Sequence, residues 1–142
     1  MRAILVMLLL GTPSWAGDAF GIWKAKLSNL TVRFETHAKG EVFTLDRTDR
    51  DGRATTSSTI LYLDGHPRDF QDLGCSGTQS SRRVDSRTVE ILRKCGSGEW
   101  TRFVRRMSGQ PKELVLEITE QRPDGRRFER RLVLEKQALE KQ

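Results

Sequence analysis

Reactive side chains are scarce in this chain. Its 142 residues include only two cysteines, two histidines and one tyrosine. Cys75 and Cys95 form no C-x-x-C redox pair, and with His37 and His66 scattered far from them they offer no spacing that would hold a metal. No serine or cysteine sits in a recognisable nucleophile elbow. Long apolar runs are missing as well. The longest, Ala3 to Leu10, falls far short of the roughly 20 residues that span a bilayer as a helix. Sustained 3.6-residue periodicity is also absent, which argues against helical bundles and coiled coils. Hydrophobic residues make up 36% of the chain, and the first 16 residues hold a disproportionate share of them. What is left can close one modest core, so a large multi-layer enzyme is not expected.

The opening segment has a clear organisation. Arg2 precedes the apolar run Ala3 to Leu10, Gly11 and Pro13 break it, and Ser14 and Ala16 place small residues at positions −3 and −1 of a cleavage site. This is the layout of a secretory signal peptide. Residues 1–16 are expected to be removed, and residues 17–142 to form a single periplasmic or secreted domain. In an oxidising compartment, the even pair Cys75 and Cys95 is expected to form a structural disulfide.

The remainder alternates with period two. Leu114, Leu116 and Ile118 share one face of their run, and Glu117 and Thr119 the other. Phe128, Leu132 and Leu134 alternate with Glu129, Arg131 and Glu135 in the same way, Val89 and Ile91 bracket Glu90, and Val32 and Phe34 bracket Arg33. Such patterns mark half-buried antiparallel strands. Asp-Gly and Ser-Gly steps at 51–52, 64–65, 97–98, 108–109 and 124–125 punctuate them as hairpin turns. Strands are expected near 22–27, 30–37, 41–47, 56–63, 67–70, 79–84, 87–94, 99–107, 112–121 and 127–136. An all-β antiparallel meander of eight to ten short strands hides its edges best by closing into a barrel, with a two-sheet sandwich as the rival.

Several clusters invite a functional reading. Asp46, Asp49, Asp51 and Gly52 look like an acidic metal loop, but position 12 is Ser57 or Ile60 depending on register, and Arg47 and Arg50 oppose a cation. They read as turn residues. His66, beside Asp64 and Asp69, has no nucleophile to serve. Neither a metal, a cofactor nor a catalytic role is expected, and the chain reads as a non-enzyme. The formal charge of +6 comes from bases mixed with acids, as in Arg126-Arg127-Phe128-Glu129-Arg130-Arg131. That mixture suggests a solvated sheet face with no track for nucleic acid. An acidic envelope surface is the more plausible charged partner.

The strand Glu99 to Met107 is different. Trp100, Arg102, Val104 and Arg106 share one face, and Thr101, Phe103, Arg105 and Met107 the other, so either face carries arginine inward. Arg130 raises the same question beside Phe128. A buried arginine must be paired or face an anion. The expected ligand contacts are Trp100, Arg102, Phe128 and Arg130. They would grip a small apolar or amphipathic anionic molecule, guanidinium on carboxylate and aromatic ring on its apolar body. The alternative is an envelope interaction module with a filled core.

Gly21-Ile22-Trp23-Lys24, Arg83-Val84-Asp85-Ser86-Arg87-Thr88-Val89-Glu90 and Leu132-Val133-Leu134-Glu135-Lys136 together resemble small secreted bacterial lipocalin-like proteins. The resemblance implies a lipocalin-like β-barrel. It makes Trp23 a floor residue across the closed end, covered by Arg130 or Arg131.

Overall fold

The computed structural model describes residues 21–25, 30–49, 51–72, 74–107 and 113–137. The signal peptide read in residues 1–16 lies outside the described residues. Ten antiparallel strands form one sheet: β1 (Gly21–Ala25), β2 (Leu30–His37), β3 (Gly40–Thr48), β4 (Ala54–Leu61), β5 (Arg68–Asp72), β6 (Cys75–Asp85), β7 (Thr88–Cys95), β8 (Trp100–Met107), β9 (Glu113–Gln121) and β10 (Arg127–Lys136). The order across the sheet is β4-β3-β2-β1-β10-β9-β8-β7-β6-β5. The expected all-β antiparallel barrel is therefore present, nearly closed.

The strand positions follow the alternation and turn signals. The largest departure is β6, which begins at Cys75 and not near residue 79. Its first half, Cys75-Ser76-Gly77-Thr78, is small and polar and carries no apolar alternation to announce a strand. Gly77 is required there because a Cβ would run into the Lys94 carbonyl oxygen of β7. Asp49, Asp51 and Gly52 form a turn, in which Asp49 Oδ1 accepts hydrogen bonds from the amides of Asp51 (3.0 Å) and Arg53 (2.9 Å).

The sheet has one seam, between its edge strands β4 and β5. Side chains bridge it in place of a backbone ladder. Ser57 Oγ of β4 donates to Asp72 Oδ2 of β5, and Gln79 Nε2 of β6 donates to Thr59 Oγ1 of β4 at 3.0 Å. At one end the chain following β4 crosses to β6. There the Leu63 amide donates to Ser81 Oγ (2.9 Å), and Asp64 pairs with Arg82.

That end is packed solid. Trp23, Phe34, Leu61, Ile91, Leu114, Leu116 and Leu134 are buried with little or no exposure. The cation over Trp23 is Lys136, its Nζ 5.9 Å from the ring. Arg130 and Arg131 are both exposed: β1 pairs with β10 only from Leu134 to Lys136, which leaves Arg130 uncovered, and Arg131 lies on the outer face, 3.8 Å from Glu117. One ion pair lies inside this apolar packing. Arg105 Nη1 of β8 meets Glu41 Oε1 of β3 at 2.6 Å, with side chains 3% and 2% exposed. Arg83 stands 3.9 Å from the same carboxylate.

Two mutational outcomes follow from this packing. Trp23→Ala is expected to cost about 3–5 kcal/mol in urea unfolding, through lost burial and the cavity left behind, with the β circular dichroism retained. Glu41→Gln is expected to cost a similar 3–5 kcal/mol or so, because it leaves Arg105 charged, buried and unpaired. The double variant Glu41→Leu/Arg105→Met is expected to recover much of that loss. A single substitution as harmful as the best-tolerated surface change would contradict the buried pair.

Candidate functional site

The opposite end of the barrel is not filled. The registers β3–β4, β5–β6, β6–β7, β7–β8 and β8–β9 place Leu45, Ser57, Phe70, Arg93, Phe103 and Glu120 on the interior face. Together with neighbours on the same face they line a half-open cavity of about 310 Å³. Arg47 and Thr55 stand at its rim, and Asp72, Glu99 and Thr101 also face it. The lining comes from seven consecutive strands, β3 and β4 on one side of the seam and β5 to β9 on the other. The cavity is therefore the open half of the barrel interior.

Arg93 is its central feature. The alternation of Val89 and Ile91 carries it inward on β7. Its guanidinium carbon lies 4.5 Å from the ring centre of Phe70, 5.1 Å from Phe103 and 5.8 Å from Phe43. Stacking over aromatic faces stabilises a guanidinium without hydrogen bonding it. Its Nε donates to Gln79 Oε1 at 2.7 Å, while Nη2 is buried with no hydrogen-bond partner. Burial pushes its pKa down to about 10, against the opposing field of Asp72, so the group remains charged at neutral pH. A buried charged donor with an unused N–H direction is costly unless something accepts from it.

The disulfide forms the wall beside it. Cys75 and Cys95 are bonded, with Cα atoms 5.1 Å apart, and both line the cavity. They join the start of β6 to the end of β7, the strand that carries Arg93.

The four residues expected to contact a ligand are not brought together. Trp100 and Arg102 lie on the outer face of β8, opposite in parity to Phe103 and Arg105. Arg127 stacks 5.4 Å from the Trp100 ring. Arg102 Nε donates to Glu90 Oε2 at 2.5 Å, and Arg82 Nε donates to the other oxygen of that carboxylate at 2.8 Å. Burial raises the Glu90 pKa, but the bonds from Arg102 and Arg82 outweigh it and hold the carboxyl below its ordinary range. Phe128 and Arg130 share the parity of the interior, yet both are exposed, because the first half of β10 pairs only with β9 among the described strands. Arg122 and Arg126 stack on Phe128, at 4.9 and 5.9 Å.

The sequence alternates equally well on both faces of β8, so it could not choose between Arg102 and Arg105. Arg93 was missed for a different reason. Val89 and Ile91 give only two apolar steps of alternation before the pattern turns polar. The next two positions on that face are Arg93 and Cys95, and a cysteine expected in a disulfide was the available sign that the face continues inward.

His66 is exposed, and its amide donates to Asp64 Oδ1 at 3.0 Å. Arg68 clamps that aspartate with both terminal nitrogens and, as the leading cause, holds its carboxyl well below the usual range. The cluster is a structural turn. Among the described residues, no group of three or more histidine, cysteine or acidic side chains could hold a metal ion.

Two measurements check this end of the barrel. Thiol titration of the unfolded, unreduced protein is expected to find no free thiol. Cys75→Ser/Cys95→Ser is expected to lower stability by roughly 3 kcal/mol with the fold intact. Arg93→Met is expected to leave stability unchanged or raise it by up to about 2 kcal/mol, since it replaces a buried charge that has only the more distant field of Asp72 by a flexible apolar chain. A loss as large as that of Glu41→Gln would show that Arg93 is structural. No protein-family model matches the chain and no curated protein matches it, so the meaning of the cavity rests on its own residues.

Proposed function

We propose that the protein binds a small amphipathic anion in the open end of the barrel, with Arg93 holding the acid group and Phe70 and Phe103 packing on the apolar body. The single observation that carries this reading is the buried Arg93 Nη2 with no partner inside a cavity of about 310 Å³. A buried donor without a partner calls for an acceptor. Arg105 Nε is also without one, but it lies in the packed end beside Glu41, whereas Arg93 Nη2 borders open space that a ligand's acid group can enter. The site retains the chemistry expected from the sequence, arginine beside aromatic rings, on other residues. The volume lies at the lower end of ligand cavities, ~300–1,000 Å³. A short acyl or aryl acid is therefore favoured over a long fatty acid buried along its whole length.

The export signal and the resemblance to lipocalin-like barrels fit a carrier or sensor of small molecules in the periplasm or outside the cell. No catalytic step is proposed. The alternative, an envelope interaction module with a filled core, draws support from the half of the barrel that is packed solid.

Octanoate titrated by calorimetry separates the two readings. Saturable binding is expected, weakened at least tenfold by Arg93→Met, which corresponds to about 1.4 kcal/mol. A filled module binds none. Binding that survives Arg93→Met undiminished would move the acid group elsewhere and overturn the assignment.

A further inference from the structure

The cavity lining carries charges of both signs. Two guanidiniums, Arg47 and Arg93, face three carboxylates, Asp72, Glu99 and Glu120. Two of the carboxylates are engaged by hydroxyls: Asp72 by Ser57, and Glu99 by Ser97 at 3.4 Å. Glu120 is half-buried and has no side-chain hydrogen bond or ion pair among the described residues. It stands near Arg93. Arg93 pairs in register with Thr101, and Thr101 with Glu120, which sets the two backbones roughly 10 Å apart at ordinary strand spacing. Side chains of this length facing one cavity could approach each other. Instead the guanidinium is turned onto the aromatic rings and onto Gln79, and Arg93 and Glu120 stand side by side on one wall, two strands apart, with no ion pair between them.

Resting on the reading that Arg93 holds an acid group, we propose that the ligand is a small zwitterion of the amino-acid type, with its carboxylate on Arg93, its ammonium on Glu120 and an apolar side chain against Phe70 and Phe103. A plain acid of the same shape would leave Glu120 unneutralised and would be repelled by it. A plain amine would leave Arg93 Nη2 unsatisfied. Only a molecule carrying both poles answers both side chains, and the aromatic lining selects an apolar or aromatic side chain. The cavity volume of about 310 Å³ accommodates a molecule the size of phenylalanine.

The test compares three probes of one shape by calorimetry: L-phenylalanine, 3-phenylpropionate and phenethylamine. L-Phenylalanine is expected to bind at least tenfold more tightly than either of the others. Glu120→Gln is expected to move two of them in opposite directions, weakening L-phenylalanine at least tenfold and tightening 3-phenylpropionate by removing the repulsion. Circular dichroism and the unfolding midpoint of the variant establish that it is folded. If 3-phenylpropionate binds as tightly as L-phenylalanine, or if Glu120→Gln shifts both alike, the zwitterion proposal fails while acid binding at Arg93 stands. If neither these probes nor octanoate bind, both fail together.

Discussion

The buried pair of Glu41 and Arg105 is the constraint on which the rest of the barrel depends. The two residues belong to strands that are not neighbours in the sheet, so their contact runs through the interior and fixes how far apart two walls can stand. Apolar side chains alone would tolerate many spacings. An ion pair held at 2.6 Å tolerates almost none, because any separation leaves two charges dry and unpaired. With that end set, Trp23, Phe34, Leu114 and Leu116 pack around it, and the unfilled volume is left at the other end.

The two inward arginines form a contrast along one aromatic column. Arg105 lies 4.5 Å from the Phe34 ring. Phe34 stacks on Phe43 at 5.2 Å, and Phe43 meets Phe103 edge-on at 5.4 Å. Arg93 lies beyond, against Phe103 and Phe70. The same side chain therefore caps both ends of a three-ring core. At the closed end its charge is answered by Glu41. At the open end Nη2 has no hydrogen-bond partner among the described residues, and the nearest opposing field is that of Asp72. Arg105 Nε is likewise without one, but its Nη1 is held by Glu41. The column keeps the two charges apart and separates the packed half of the barrel from the half that holds the cavity.

Much of the fold was legible because strand alternation and Asp-Gly turns are local signals. The runs at Leu114 and Phe128, and the hairpin at Asp124-Gly125, sit where their residues place them. The start of β6 was not legible, because Cys75 to Thr78 are held by the disulfide and by the close approach at Gly77, which are tertiary facts. The candidate site was less legible still. On β8 both faces alternate, and only the surrounding strands decide that Phe103 and Arg105 turn inward while Trp100 and Arg102 turn out. Phe128 and Arg130 have the right parity but lose their cover where β1 no longer pairs with β10. No pattern within β10 records that loss.

The seam between β4 and β5 has a consequence for how the chain is threaded. Every backbone pairing in the sheet joins strands adjacent in the chain, except β1 with β10. Those two meet in a register of three residue pairs, beside the hydrogen bond from the Gln137 amide to the Ile22 carbonyl. The described chain is thus two hairpin meanders, 21–61 and 68–136, fastened at their outer ends. Read across the sheet, it is a single uninterrupted meander whose start and finish have been moved to the middle. Joining residue 137 to residue 21 and opening the chain within 62–67 would make every pairing local. In the natural order, the single strand pairing between β1 and β10 closes a loop of nearly the whole described chain, the largest closure cost among the strand pairings.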